Sequence, residues 1–138
     1  MGFETIDGSW SGTNELWLEP NTPALESSAT LTAENGRLSY TWSFKGKPHQ
    51  GVLQLGEGGG EWSDTFHQPQ PTPCPEVGGY GAIAAMAYGY PAPSGPDWHW
   101  RIVVCLRPEG ELVVQMTNLP PWGEEAPAVR MVLSRTTS

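Results

Sequence analysis

Basic side chains are scarce in this sequence of 138 residues. Seven Lys and Arg stand against fifteen Asp and Glu, which gives a formal net charge of −8. Nucleic-acid binding requires a positive surface that neutralises phosphates, and anionic lipid headgroups repel an acidic chain. We therefore expect neither a nucleic acid nor a membrane surface as a partner.

Cysteine and histidine are also rare. The chain has two cysteines, Cys74 and Cys105, and three histidines. The cysteines form no CxxC motif, and no histidine stands beside them at the spacing of zinc ligands. The pattern predicts two reduced thiols, as in cytoplasmic proteins, and neither a metal nor a cofactor.

Long apolar runs are absent. No stretch approaches the roughly 20 residues needed to span a bilayer. The segment Met1–Trp10 lacks the basic and apolar parts of a signal peptide. These features favour a cytoplasmic location.

The sequence is instead rich in alternation between large apolar and small polar residues. Every second position of the segment Arg37–Lys45 carries a large side chain: Leu38, Tyr40, Trp42 and Phe44. Residues two apart lie on one face of a strand, so these side chains should line one wall. Asn35-Gly36, just before the segment, suits a two-residue hairpin turn.

Similar alternation predicts about eight to ten strands that follow one another through short turns. The segments are Ser9–Leu18, Ala29–Glu34, Arg37–Lys45, Val52–Leu55, Glu61–Gln68, Ala82–Tyr88, Trp98–Leu106, Glu111–Asn118 and Val129–Arg135. This spacing is typical of a sandwich or barrel, and the short connections favour an antiparallel up-and-down β-barrel. We expect one all-β domain over residues 1–138.

Two segments are harder to assign. Ala82–Tyr88 is rich in Ala and Met and can form either a strand or a short helix, although its flanking glycines favour a strand. Gln68–Gly79 contains prolines at positions 69, 71, 73 and 75. Because proline lacks the backbone donor of a ladder, this segment is predicted to be a surface loop or a lid.

The alternation also predicts which side chains face the interior. The inward set is Trp10, Leu16, Leu18, Leu38, Tyr40, Trp42, Phe44, Trp62, Phe66, Met86, Tyr88, Trp98, Trp100, Ile102, Leu112, Val114, Met116, Val129, Met131 and Leu133. The same register carries polar groups inward: Asn14, Asp64, Asn118 and Arg135. Such groups pair with one another or lie at a barrel end, or they converge on a ligand.

Four stretches carry a family resemblance. Gly8-Ser9-Trp10-Ser11-Gly12 resembles the Gly-x-Trp-x-Gly opening of lipocalin-like (calycin) proteins. Trp62–His67, Pro96–Arg101 and Asn118–Gly123 are similar to stretches of a bacterial calycin family of unknown function.

The resemblance implies a calycin barrel whose tryptophan plugs one end. An arginine near the last strand is expected to pack over that tryptophan, and Arg135 matches this position, with Arg130 as the rival. Some related intracellular barrels bind haem through a histidine in the last strand. No histidine occurs in Val129–Arg135, so haem is not expected.

Catalytic patterns are weak. Asp64 and His67 lie three residues apart, which places them on opposite faces of a regular strand. His67 is therefore interpreted as a surface or rim histidine, and His99 as exterior. The sequence has no Gly-x-Ser-x-Gly elbow and no phosphate-cradling glycine motif.

The expected function is binding of a small, largely apolar or aromatic molecule inside the barrel. The predicted ligand-binding residues are Asn14, Tyr40, Trp42, Asp64, Phe66, His67, Met86, Tyr88, Trp98, Trp100 and Asn118. Two alternatives remain open. One is an isomerase- or hydrolase-type enzyme with Asp64 or His67 as general base at the barrel mouth. The other is a filled barrel that binds a protein partner through an edge or the proline segment.

Overall fold

The fold is an all-β meander of ten strands. The computed structural model describes residues 3–19, 21–78, 82–91 and 95–136. A short 3₁₀ helix, Phe3–Ile6, precedes the strands: β1 (Gly8–Leu16), β2 (Leu25–Glu34), β3 (Arg37–Phe44), β4 (Lys47–Gly56), β5 (Gly59–Asp64), β6 (Gln68–Pro75), β7 (Ala84–Tyr90), β8 (Trp98–Leu106), β9 (Leu112–Leu119) and β10 (Ala126–Arg135). Among the described residues, no helix is long and apolar enough to cross a membrane.

All ten strands belong to one antiparallel sheet in the order β6-β5-β4-β3-β2-β1-β10-β9-β8-β7. Strands that are consecutive in sequence are neighbours, except β6 and β7, and β10 pairs with β1. The sheet curls until its edge strands β6 and β7 meet at one bridge, Glu76 to Met86. The predicted up-and-down, lipocalin-like barrel is confirmed, in nearly closed form.

The hairpin predicted at Asn35-Gly36 is confirmed. Both residues have positive φ, 51° and 85°, as the two-residue turn between β2 and β3 requires. The expected strand over Ala82–Tyr88 is also present, shifted to Ala84–Tyr90. The helical alternative for that segment is therefore excluded.

The alternating register places the core inside the barrel. Leu38, Tyr40 and Trp42 are at most 3% exposed, while the residues between them face outward. Leu18, which we expected to point inward, is 54% exposed. The prediction was wrong because β1 ends at Leu16, so the period of two no longer applies beyond it.

The 3₁₀ helix closes one end of the barrel, here called the lower end. Trp10 is buried and donates its indole N–H to the carbonyl of Ile6 at 2.9 Å. The guanidinium of Arg135 lies 4.4 Å from the Trp10 ring centroid and donates to the carbonyls of Thr5 and Asp7. The expected contact of Arg135 with Trp10 is confirmed.

The expected single strand over Glu61–Gln68 is wrong. Strand β5 ends at Asp64, and residues 65–67 form a turn before β6 begins. One Asp64 carboxylate oxygen, Oδ1, accepts hydrogen bonds from the backbone N–H groups of Phe66 and His67 at 2.8 and 3.0 Å. This side-chain-to-backbone bonding replaces the glycine or proline that usually signals a turn.

The prediction of a proline loop or lid is also wrong for residues 68–75; residues 76–78 follow the strand, and residue 79 lies outside the described residues. Gln68–Pro75 is strand β6, paired with β5. Its four prolines occupy alternate positions and are all exposed. Residues two apart direct their backbone groups to the same edge, and the Glu76 N–H donates to the Gly58 carbonyl on the β5 side, so Pro73 and Pro75 remove no donor from the ladder with β5. Cys74, which we expected in a loop, is buried inside the barrel.

The contact of Arg135 with Trp10 at the lower end leads to a prediction about the stability of the protein. Arg135→Met removes the cation–π contact and two charge-assisted hydrogen bonds, so we expect it to lower the free energy of unfolding by about 1–3 kcal/mol. Urea denaturation measures the loss. The matched control is Arg130→Met, because Arg130 also lies over a tryptophan ring, that of Trp17 at 5.8 Å, and pairs with Glu15 at 3.4 Å, but donates to no backbone carbonyl among the described residues; it should cost less than about 1 kcal/mol. Equal losses in the two variants would contradict the assigned role.

Candidate functional site

An aromatic cluster occupies the inner face toward the end opposite the 3₁₀ helix, the upper end. Its members are Trp42, Trp62, Phe66, His67, Tyr88 and Trp100. Trp62 and Trp100 stack with ring centroids 5.4 Å apart and an interplanar angle of 12°. The His67 ring centroid lies 5.2 Å from that of Trp100 and 5.8 Å from that of Trp42. The cluster thus joins β3, β5, β7 and β8 through the turn at residues 65–67.

A row of three residues, Tyr40, Gly51 and Asp64, anchors the cluster across β3, β4 and β5. These residues are direct partners in the ladders. The Tyr40 hydroxyl donates to Asp64 Oδ2 at 2.7 Å. A Cβ at Gly51 would lie 2.3 Å from the Tyr40 hydroxyl oxygen. Glycine is required at position 51 because the phenol crosses β4 where a side chain would stand.

Asp64 is a buried carboxylate with both oxygens engaged. Oδ2 accepts from Tyr40 and, at 3.3 Å, from the Trp42 indole N–H. Oδ1 accepts from two backbone N–H groups and faces His67 Nδ1 at 3.4 Å. Burial acts to raise the pKa of Asp64, but hydrogen bonds from His67 and Tyr40 outweigh it and hold the pKa below its ordinary value. Burial and the nearby Asp64 charge raise the pKa of Tyr40.

Of the surface and rim positions expected for His67, the outer surface is excluded, and the residue lies in the turn at the upper end of the barrel. Its side chain is 14% exposed and its Nδ1 contacts Asp64, because the turn at residues 65–67 brings residue 67 back beside residue 64. When Nδ1 carries the proton directed at Asp64, Nε2 is the nitrogen available to accept one. His99 is exposed, as expected.

Two buried polar side chains on the inner face have no hydrogen-bond partner within the described part of the chain. Both amide atoms of Asn14, which is 0% exposed, are unpartnered, and so is the indole N–H of Trp100. Leaving such a group unpaired costs roughly 1–3 kcal/mol. These atoms therefore mark places where the interior favours a polar partner.

Apart from Asn14, three predicted site residues lie outside the cluster and the row that anchors it: Met86, Trp98 and Asn118. Met86 is fully buried, and its sulfur lies over Gly60. Trp98 and Asn118 sit outside the aromatic cluster: the Trp98 ring contacts that of the exposed Trp122 at 5.1 Å, and Asn118 Oδ1 accepts from the Tyr90 hydroxyl. The structure thus brings together seven of the eleven residues: Tyr40, Trp42, Asp64, Phe66, His67, Tyr88 and Trp100.

Sequence reasoning did not assign three residues to the site: Trp62, which belongs to the cluster, and His49 and Gln68, which border it. Trp62 was placed inside but not in the site; its indole N–H donates to the Tyr40 hydroxyl at 2.9 Å. His49 stacks on Trp42 at 4.8 Å and contacts Thr65 Oγ1 at 2.9 Å. The parity of β4, carried back from Leu53 through Gly51, is the signal that would have placed His49 on the inner face.

A separate groove of about 370 Å³ crosses the outer face of β2–β5. Its lining is mainly hydroxyl and amide side chains of the outward register: Thr30, Thr32, Ser39, Thr41, Gln50, Ser63 and Thr65. Thr30 and Thr41 already hydrogen-bond each other at 2.6 Å. Tyr40, Val52 and Pro69 also line the groove, so it offers apolar as well as polar contacts, but it lacks the tryptophan faces of the interior.

The described residues contain no group of three or more His, Cys, Asp or Glu side chains placed to hold a metal ion. Comparison with known proteins finds neither a matching family model nor a matching curated protein. The interpretation of the site therefore depends on its geometry.

The Tyr40–Gly51–Asp64 row predicts a strong effect of one methyl group. Gly51→Ala places a Cβ against the Tyr40 hydroxyl and displaces it from Asp64, so we expect a loss of about 1–3 kcal/mol in unfolding free energy and altered tryptophan fluorescence. Gly56→Ala in the same strand is the control, because a Cβ there meets nothing within 4 Å. Urea titration of both variants checks this, and an unaffected Gly51→Ala would refute the requirement for glycine.

The lowered pKa of Asp64 predicts a pH dependence of stability. The ionised form is favoured in the folded state, so its contribution is complete well above the ordinary value of 3.8 and is lost as pH falls through the lower folded pKa. Asp64→Asn should remove this acid-limb dependence, measured as unfolding free energy against pH. Glu125→Gln is the control; Glu125 pairs with Arg101 but is exposed, so its effect should be small. Parallel acid limbs for wild type and Asp64→Asn would contradict the assignment.

Proposed function

We propose that the protein binds a small, largely apolar molecule carrying at least one polar group inside the barrel, against the aromatic cluster. Ligand sites usually combine apolar and aromatic walls with a few placed polar groups. The inner face has this composition: Asn14 and Asp64 are buried there among many buried apolar residues. Thr117, the third buried polar residue of the described chain, belongs to the outer register of β9.

The observation that carries the proposal is the unpartnered amide of Asn14 together with the unpartnered indole N–H of Trp100. Asn14 offers a donor and an acceptor, and Trp100 a donor. A barrel that only needed a solid core would be more stable with an apolar residue at position 14. Retaining the amide is consistent with a polar group of a bound molecule, or water that it displaces, as its partner.

Asp64 fits an anchoring role in this proposal better than a direct contact with ligand. Its two oxygens accept from Tyr40, Trp42 and two backbone N–H groups. Those bonds fix the rings of Tyr40 and Trp42 and the turn that carries Phe66 and His67. Asp64 thereby preorganises the wall against which a ligand packs.

A second candidate function is general-base catalysis by His67 at the upper end, and one observation favours it. The Nδ1 of His67 faces the Asp64 carboxylate at 3.4 Å, the arrangement that holds an imidazole in one tautomer and leaves Nε2 to exchange protons. The saturated carboxylate of Asp64 makes it the poorer base. The His67→Gln variant separates the two functions, because it should abolish turnover but weaken binding only modestly.

Intrinsic fluorescence tests the binding function. Trp62 and Trp100 face the interior, so a neutral aromatic or aliphatic ligand should change tryptophan emission and raise the melting temperature in proportion to its concentration. A panel of lipophilic metabolites with one hydroxyl, amide or amine group is the appropriate screen. Absence of both signals across the panel would reject small-molecule binding and leave a filled barrel that serves a protein partner.

Asn14→Leu sharpens the test. Removing an unpartnered buried amide should stabilise the free protein by about 1–3 kcal/mol, while ligands found in the screen should lose affinity. Urea denaturation and fluorescence titration measure the two effects. Asn118→Leu is the matched control: it breaks the bond with Tyr90 and should lower stability. Loss of stability in Asn14→Leu would show that the amide already has its partner within the protein.

A further inference from the structure

The two edge strands of the sheet, β6 (Gln68–Pro75) and β7 (Ala84–Tyr90), form no ladder with each other in the described residues. We call the boundary between them the seam. Among the described residues, these strands meet at the bridge of Glu76 with Met86 and at a bond from the Val77 N–H to the Ala85 carbonyl, 3.0 Å long. Every other neighbouring pair in the sheet forms a ladder of at least five residue pairs, although the β5–β6 and β9–β10 ladders each contain a register shift. The seam is therefore the weakest backbone connection around the barrel.

The prolines of β6 explain why the seam is open. Successive residues of a strand direct their backbone groups to opposite edges. The N–H of Glu76 donates to the Gly58 carbonyl at 2.8 Å, on the β5 side, so in the regular stretch of residues 72–76 the even-numbered residues face β5 and the odd-numbered residues face β7. Positions 73 and 75 in this stretch are proline, which has no N–H, and Pro69 and Pro71 lie where the register with β5 shifts. The next odd residue, Val77, has an N–H and bonds to β7.

Side chains rather than backbone bonds close the seam on the inner side. The Tyr88 hydroxyl donates to Gln68 Oε1 at 3.4 Å, near the limit for a hydrogen bond. Tyr88 also reaches past β6 to Trp62, with ring centroids 6.1 Å apart. Opening the seam would thus expose the aromatic cluster directly, and it would break one long hydrogen bond together with the contacts at residues 76–77.

We propose that the seam between β6 and β7 is the route by which a small apolar molecule reaches and leaves the barrel interior, with Tyr88 and Gln68 as its gate. The proposal rests on the binding function proposed above. The lower end is closed by the 3₁₀ helix and the Trp10–Arg135 contact. Parting any other pair of strands requires breaking a full ladder, so local opening is cheapest at the seam.

Cys74 is a natural reporter of this opening. It is 1% exposed, lies on the inner face of β6, and is one of two free thiols. In a Cys105→Ser background, its thiolate can attack methyl methanethiosulfonate, forming a methyl disulfide and releasing methanesulfinate. Burial raises the pKa of Cys74 to about 11, so all variants are compared at one pH.

Two substitutions should change the rate at which the seam opens in opposite directions. Val77→Pro extends the donor-free edge by one residue and should speed Cys74 labelling about fivefold, whereas Pro73→Thr restores a donor facing β7 and should slow it about fivefold. Pro48→Thr on β4, exposed and away from the seam, is the control and should leave the rate unchanged. Equal rates in Val77→Pro, Pro73→Thr and the parent would overturn the proposal.

The dependence of the Cys74 labelling rate on urea concentration distinguishes seam opening from global unfolding. Labelling through the seam should be nearly independent of urea at low concentrations, because little surface is exposed. A labelling rate that follows the global unfolding free energy in every variant would also overturn the proposal.

The neutral fluorophore N-phenyl-1-naphthylamine then tests passage of a ligand. If it enters through the seam, Val77→Pro should raise its association and dissociation rates by the same factor in stopped flow, leaving Kd unchanged. Binding with identical rates in all variants would reject the route while the binding function stands. If neither this probe nor the metabolite panel binds, although Cys74 labelling responds to the substitutions, the binding function fails, and the seam's role as a ligand route fails with it.

Discussion

The upper half of the barrel depends on the hydrogen bond from the Tyr40 hydroxyl to the Asp64 carboxylate. A carboxylate enclosed by aromatic rings is stable only when several donors offset the lost hydration. The bond at 2.7 Å joins strands β3 and β5 across the bare backbone of Gly51. The other donors to Asp64 come from Trp42 and from the turn that follows. One charged group therefore sets the position of three neighbouring segments.

This constraint has a direct consequence for the proposed site. Because Asp64 holds the backbone of Phe66 and His67, the turn at residues 65–67 is fixed although it lacks glycine and proline. The His67 ring then lies between Trp42 and Trp100, and Trp62 is tied to the same network through Tyr40. The aromatic wall is thus ordered by polar contacts behind it, a preorganisation that reduces the entropy lost when a ligand binds.

Much of this arrangement could be predicted from the alternation of large apolar and small polar residues, which has a period of two. Alternation in Arg37–Lys45 and Trp98–Leu106 was sufficient to place Tyr40, Trp42 and Trp100 inside, because the inner and outer faces differ strongly in polarity. The contact between Asp64 and His67 could not be predicted, because the turn between them depends on a side chain bonding to backbone. In the sequence, Trp62 and Phe66 have the same parity, as if one strand continued through residues 62–66. The prediction for Leu18 was wrong for the opposite reason: the alternation in the sequence continues beyond the strand, which ends at Leu16.

The proline segment shows that the period of two also determines which edge of a strand loses its backbone donors. Four prolines in eight residues normally indicate a loop, because each removes a ladder donor. Here they fall on every second residue, so the donors missing at Pro73 and Pro75 belong to the edge away from β5, and β6 pairs with β5 on both sides of one register shift. Side chains and backbone donors follow the same alternation, and the register of a proline therefore matters more than the number of prolines. A strand can in this way pair on one side and be prevented from pairing on the other, which leaves a barrel that is nearly closed.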